Sequence, residues 1–251
     1  MNVAVFDLET NGMAGASAVS ASSIVFDTGG AILDVFNRFY LPSERIDPQA
    51  VRVHGLTLER LAALREHIPS TPYFAEDWPD LLDFWEKWSV GGVVVHNLSF
   101  DAAFLPEIAQ SAVRWWCSMK GLTAYCAIPK RFGRAFKWPR LGEAADVVCN
   151  GPNALSPPEA AASIENSVGE GFAQPHVSLF DCFELYRVVS RVYLHHRDLI
   201  KFEPFTVPFC PPNRQKAGAA YVAAESVSRE DPFISDVLAY EQKVRSVISN
   251  K

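Results

Sequence analysis

Over the first forty residues, polar and apolar positions follow a short period. Residues 3–6 are an apolar run ending in acids, 19–26 alternate small, polar and branched side chains, and 33–41 alternate apolar with polar. A period of two predicts three consecutive strands. Asn11-Gly12 and Thr28-Gly29-Gly30 stand between them and carry the turn chemistry of an antiparallel meander. The period then lengthens. Leucines and aromatic residues at helical spacing predict helices over 57–66 and 77–88, with Thr57 and Asp77 as their caps. Gly91-Gly92 is expected to end the second helix and release a short buried strand over 93–96, followed by a helix over 99–110. Short helices are expected at 120–127 and 141–147. Residues 150–175 read as a loop in which Pro157-Pro158-Glu159 starts a short helix. Leu179, Cys182, Phe183, Tyr186, Val189, Val192 and Tyr193 then keep a 3.6-residue period that predicts a helix over 178–196. Prolines punctuate 202–212, and a last helix is expected over 231–249. A meander followed by alternating strands and helices predicts an α/β fold, a mixed sheet covered by helices on both faces.

Composition narrows the class. With 251 residues, 49% hydrophobic and 21% charged, the chain is expected to build one main domain over 1–200. Residues 201–251 form an extension that straps the core or docks a protein partner. The opening residues lack the positive flank and apolar stretch of a signal peptide, and no segment approaches a membrane span, so no membrane partner is expected. Five scattered cysteines without a C-x-x-C pair read as reduced packing residues in a cytoplasm. A net charge of −6 argues against a protein that coats nucleic acid. The charge is nevertheless segregated. Arg114, Lys120, Lys130, Arg131, Arg134, Lys137 and Arg140 fall in 108–142, which holds no acidic residue, and Trp115, Trp116, Tyr125, Phe132, Phe136 and Trp138 are interleaved with them. Such a stretch either stacks bases and holds phosphates of a single strand or supplies core rings beside a solvated face, the reading that suits Trp115 and Trp116.

Three motifs carry candidate chemistry. Asp7 and Glu9 are two apart on a predicted strand, so both side chains leave the same face about 6–7 Å apart. Two carboxylates held so close repel each other, a cost that a hard divalent cation removes. Asp101 stands in the first turn of a helix just after a buried strand, where free N–H groups favour a carboxylate, and Asn97 offers an amide at that strand's end. His176 precedes the helix that carries Asp181. Ser178 and Asp181 also fit a capping box, which would make Asp181 structural.

In order, D-x-E, N-x-x-x-D and H-x-x-x-x-D resemble the DEDDh branch of the DnaQ-like 3′→5′ exonucleases over about residues 3–192. Val53-His54-Gly55-Leu56-Thr57 and Trp138-Pro139-Arg140-Leu141 also look like segments of that family. The resemblance implies a ribonuclease H-like fold with a five-stranded sheet. It further implies that Asp7, Glu9, Asp101 and Asp181 hold two Mg²⁺ or Mn²⁺ ions while His176 acts as general base. By the same analogy Thr10, Gly12, Met13, His54, Asn97 and Phe100 are expected to contact the substrate. That substrate is a single-stranded or frayed 3′ end, DNA in preference to RNA, and the extension would suit a polymerase or another protein. An exoribonuclease and a non-catalytic nucleic-acid or polymerase-binding module are the alternatives. Asn11 and Met13 depart from the family's commoner Thr-Thr-Gly-Leu, which bears on terminal-base contact and leaves the acids intact.

Overall fold

The computed structural model describes residues 1–13, 15–168, 177–212 and 231–248. The meander forms as expected, from β1 (Asn2–Thr10), β2 (Ala18–Asp27) and β3 (Ile32–Phe39). Gly30 turns β2 into β3 at φ +87°, a conformation open to glycine without strain. Next come α1 (Pro48–His54), α2 (Leu58–His67) and α3 (Phe74–Lys87). Thr57 caps α2 through Arg60 N, as its sequence position implies. Asp77 does not cap α3. It lies inside the helix, 1% exposed, where Arg38 Nη1 and Tyr40 Oη both donate to it at 2.7 Å. A buried carboxylate needs such partners more than a helix end needs that residue.

β4 (Val90–Val95) includes Gly91 and Gly92, and α3 has already ended at Lys87, with Ser89 at φ +47° turning the chain into the strand. β4 runs parallel to β1 and in turn pairs in parallel with β5 (Trp115–Cys117), which completes the order β3-β2-β1-β4-β5. The continuous helix expected over 99–110 is instead α4 (Leu98–Asp101), a 3₁₀ turn at Ala102–Phe104 and α5 (Glu107–Ala112). Pro106 interrupts it, because proline lacks the N–H and clashes with the preceding turn. Then follow α6 (Ser118–Gly121), α7 (Thr123–Cys126), α8 (Leu141–Ala145) with a π turn at Asp146–Asn150, and α9 (Glu159–Val168). The long α10 (Ser178–His195) and α11 (Pro232–Ser246) close the fold.

Alternation along β1 divides the core. Val3 and Val5 join α10 and α8 on one side of the sheet, while Ala4, Phe6 and Leu8 join Trp85 of α3 and Trp115 on the other. Trp115 and Trp116 are buried, as their apolar context predicts. The last residues pack on this body. Trp115 and Glu203 exchange backbone hydrogen bonds of 2.8 and 3.0 Å, and Arg245 Nη1 donates to Val35 O. Asp231 caps α11 and accepts from Arg60 Nε at 2.7 Å. Phe233 lies against Gly55, where a Cβ would stand 2.8 Å from its ring. Among the described residues, no helix is long and apolar enough to cross a membrane.

Candidate active site

On β1 the face that carries Val3 and Val5 turns from apolar to acidic at Asp7 and Glu9, next to the first turn of α10. Ligand oxygens of Asp7, Glu9 and Asp181 lie within 4.8 Å of one another. The two β1 carboxylates therefore share a face, as their spacing predicts, and α10 brings a third to them.

Asp181 owes its position to serines. Ser178 does not cap the helix, whose N-cap is Val177 without a side-chain hydrogen bond. Its buried hydroxyl reaches β2 instead, at 2.5 Å from Ser20 Oγ and 2.7 Å from Ser22 Oγ. Ser22 donates to Asn37 Oδ1, so its only proton is committed, and the chain must run Ser20 to Ser178 to Ser22 to Asn37. Cys182 Sγ adds a bond to Ser22 O. This hydroxyl ladder seats the first turn of α10 on the sheet.

Asp101 approaches from the opposite side. β4 pairs with β1 only as far as Val5, and beyond that point Asp101 Oδ1 accepts the Leu8 N–H at 3.2 Å. Burial and, behind it, the charge of Asp181 push the Asp101 carboxyl up to about 8, against the pull of the Leu8 N–H and its own backbone N–H. Asp7 is held well above the usual carboxylate range, first by burial and then by Asp181, Asp101 and Glu9. Glu9 is also held well above its ordinary value, first by burial, then by the charges of Asp181 and Asp101 and a hydrogen bond with Asp181. Among the described residues, no lysine or arginine is ion-paired with Asp7, Glu9 or Asp101. Asp7, Glu9 and Asp101, desolvated and raised in part by repulsion, together with the oxygens of Asp181 beside them make a donor set that fits a hard divalent cation. His176, the fifth expected member, lies outside the described residues.

The residues expected at the substrate divide. Thr10 Oγ1 donates to Gly12 O at 2.7 Å, which tightens the turn after β1, and Met13 beyond it is 77% exposed. Asn97 is exposed in a left-handed conformation, φ +77°, at the C-terminal end of β4, and Phe100 packs against Phe104. His54 is only 2% exposed, and its Nδ1 accepts the Leu56 N–H, so it closes the corner between α1 and α2.

Two residues were not singled out by the sequence. Glu44 accepts from Asn11 Nδ2 at 2.8 Å, Ser17 N at 2.8 Å and Ser17 Oγ at 2.7 Å, and Asn11 Oδ1 accepts from Asp47 N. Asn11 therefore pins the turn after the acids. Burial lowers the pKa of His96, against the opposing pull of its bond to Pro139 and of the Asp181 charge. Its Nε2 lies 3.0 Å from Pro139 O, which can only accept, so Nε2 carries the proton and Nδ1 faces Ser118 Oγ at 2.9 Å.

No model of a known protein family matches the sequence, and no curated protein does. Solved structures do. A structure of exonuclease X in complex with 5′-overhanging duplex DNA matches with a TM-score of 0.50 and 21% identity, over 78% of this chain and 93% of that one. Exonuclease I from Methylocaldum szegediense matches at a TM-score of 0.47 and 15% identity, and E. coli exonuclease I with a 5cy-dA13 oligonucleotide at 0.47 and 14%. Each of these two matches covers 79% of this chain and 41% of the other. The likeness to exonuclease X and the five-stranded mixed sheet make the fold ribonuclease H-like.

Proposed function

We propose that this chain is a metal-dependent 3′→5′ exonuclease that removes nucleoside monophosphates from single-stranded or frayed DNA ends. The observation that carries the reading is the convergence of Asp7, Glu9 and Asp181 within 4.8 Å, with buried Asp101 tied to the backbone between the first two. A structural neighbour solved with 5′-overhanging duplex DNA supports DNA as the substrate class.

Asp7, Glu9, Asp101 and Asp181 would hold divalent ions, two by the resemblance of the motifs. Bound there, Mg²⁺ or Mn²⁺ would supply Lewis-acid polarisation of the scissile phosphate and offset the charge of the cluster. The protein's own share is positioning and proton transfer. The hydroxyl ladder fixes Asp181 and the Leu8 bond fixes Asp101, so the donors are held before substrate arrives. His176 accepts the proton of the attacking water, a task matched to an unperturbed pKa of ~6.5. Thr10, Gly12 and Met13 meet the 3′-terminal nucleotide, with Asn97 and Phe100 beside it. The 1–200 body carries the chemistry and 201–251 support it.

The test is incubation of the protein with 5′-labelled single-stranded DNA, matched RNA and duplex DNA with a mispaired 3′ end. Each is run in Mg²⁺, Mn²⁺ or EDTA, beside Asp7→Ala and His176→Ala. A metal-dependent ladder shortening from the 3′ end and lost in both variants is expected, fastest on single-stranded DNA. Faster shortening of RNA would make the enzyme an exoribonuclease, and binding without shortening would make it a non-catalytic module.

A further inference from the structure

The basic, aromatic-rich stretch resolves into two parts. Trp115 and Trp116 are core, whereas residues 129–137 fold back on themselves outside it, next to Ile128, which packs against the core. Pro129 and Phe136 form an antiparallel bridge, Lys130 N donates to Ala135 O and Lys137 N to Ile128 O, and Gly133 turns the tip at φ +92°. This small arm displays what a folded chain ordinarily hides. Phe132 is 79% exposed, Phe136 44% and Trp138 61%. Lys130, Arg131 and Arg134 are exposed among these rings, and among the described residues none of the three is ion-paired. Arg131 lies 5.4 Å from the Phe132 ring centroid and Lys120 Nζ 6.0 Å from that of Trp138.

The root of the arm is tied to the end of β4, the parallel neighbour of β1. Pro139 O, one residue past Trp138, accepts from His96 Nε2, and His96 directly follows Val95, where β4 ends beside the strand that carries Asp7 and Glu9. Lys137 is ion-paired with Glu143 at the start of α8, which holds the returning leg. Each leg is about five residues, so the tip reaches roughly 15 Å from the root if extended. A polyanion whose end lies among the carboxylates would have its following nucleotides within that reach.

We propose that residues 129–138 are a single-strand-binding arm. Phe132, Phe136 and Trp138 stack bases upstream of the terminal nucleotide, and Lys130, Arg131 and Arg134 hold phosphates. Charge complementarity and exposed rings select this occupant, because rings beside cations grip single strands irrespective of sequence. The arm deepens the nuclease reading and rests on it for the direction of the strand.

The experiment separates the two. Anisotropy of a 5′-labelled 20-nucleotide oligothymidylate is titrated in EDTA at several salt concentrations, so that binding is read without hydrolysis. Hydrolysis of the p-nitrophenyl ester of thymidine 5′-monophosphate in Mn²⁺ reports the acidic site with a substrate too short for the arm. The Phe132→Ala, Phe136→Ala, Trp138→Ala triple variant is expected to weaken oligonucleotide binding about 100-fold with an unchanged salt slope. Arg131→Ala with Arg134→Ala should lower the slope of log K against log salt by about 1.4. Both should hydrolyse the ester at the wild-type rate. Wild type that cleaves the ester while all three proteins bind the strand within twofold would overturn the arm and leave the nuclease standing. An intact ester, with strand binding still lost in the variants, would do the reverse.

Discussion

Asp101 stands in for a strand at Leu8. Where β4 has stopped pairing with β1, the carboxylate accepts the Leu8 N–H at 3.2 Å across 93 positions of sequence. One oxygen is thus committed to the sheet, and the group is placed by the backbone of the strand that carries Asp7 and Glu9.

Asp101→Asn keeps that bond, since an amide oxygen also accepts, and removes the charge. The native Asp101 carboxyl is pushed up to about 8 from an ordinary 3.8. Between those values the native state holds a proton that the unfolded chain has released, so stability of the metal-free protein falls as pH rises through this window. The expected outcome at pH 8 in EDTA is a variant melting above wild type by at least about 2–4 °C, the worth of 1 kcal/mol in a chain this size. Calorimetry from pH 5 to 8 checks it, and a variant less stable than wild type at pH 8 would contradict the repulsion.

Metal should reverse the cost. At a concentration 100 times its Kd, an ion that binds only the native state adds about 2.7 kcal/mol. Thermal shift in Mg²⁺ and Mn²⁺ is expected to raise the Tm of wild type and to leave Asp7→Asn nearly unmoved. Equal shifts in the two proteins would place the binding elsewhere.

Ser178→Ala breaks the hydroxyl chain in its middle. Ser20 loses its acceptor and Ser22 its donor, both in the interior. A loss of about 1–3 kcal/mol in denaturant unfolding is expected. Nuclease rate should fall with it, because the first turn of α10 carries Asp181. Full activity would mean that α10 is seated by its apolar face alone.

Glu44 supplies the opposite pH dependence. Burial works to raise its pKa, but hydrogen bonds from Asn11, Ser17 and Ser43 outweigh it and hold the carboxyl below its ordinary 4.5. Its contribution is therefore present above pH 4.5 and lost as pH falls through the lower native value. Glu44→Gln is expected to cost about 1–2 kcal/mol at pH 7. The gap to wild type should narrow in urea melts taken progressively further below pH 4.5. A gap independent of pH would show that only packing was lost.

Local pattern made the framework legible. The period of two in β1 to β3 and the period of 3.6 in α10 report burial on one face, and D-x-E on a strand fixes the geometry of Asp7 and Glu9 without further information. What escaped depends on distant partners. Asp77 reads as a helix cap until Arg38 and Tyr40 arrive from β3. Ser178 reads as another until β2 offers two serines. β5 is three residues long, too short for any period, so its tryptophans read as buried without reading as a strand. α1 carried a local signal, Asp47 as cap with Pro48 behind it, that the loop-like composition around it concealed. Glu44 left none, because Asn11 and Ser17, which supply most of its hydrogen bonds, are 33 and 27 positions away.

The same sheet has two outer strands, and the end of the chain attends to both. Glu203 bridges β5, and Arg245 takes the Val35 carbonyl on β3. A chain cut after residue 200 would keep every acidic ligand, yet it would present two unguarded rows of amide and carbonyl groups to its neighbours. Its failure would come as edge-to-edge aggregation, with the chemistry still in place.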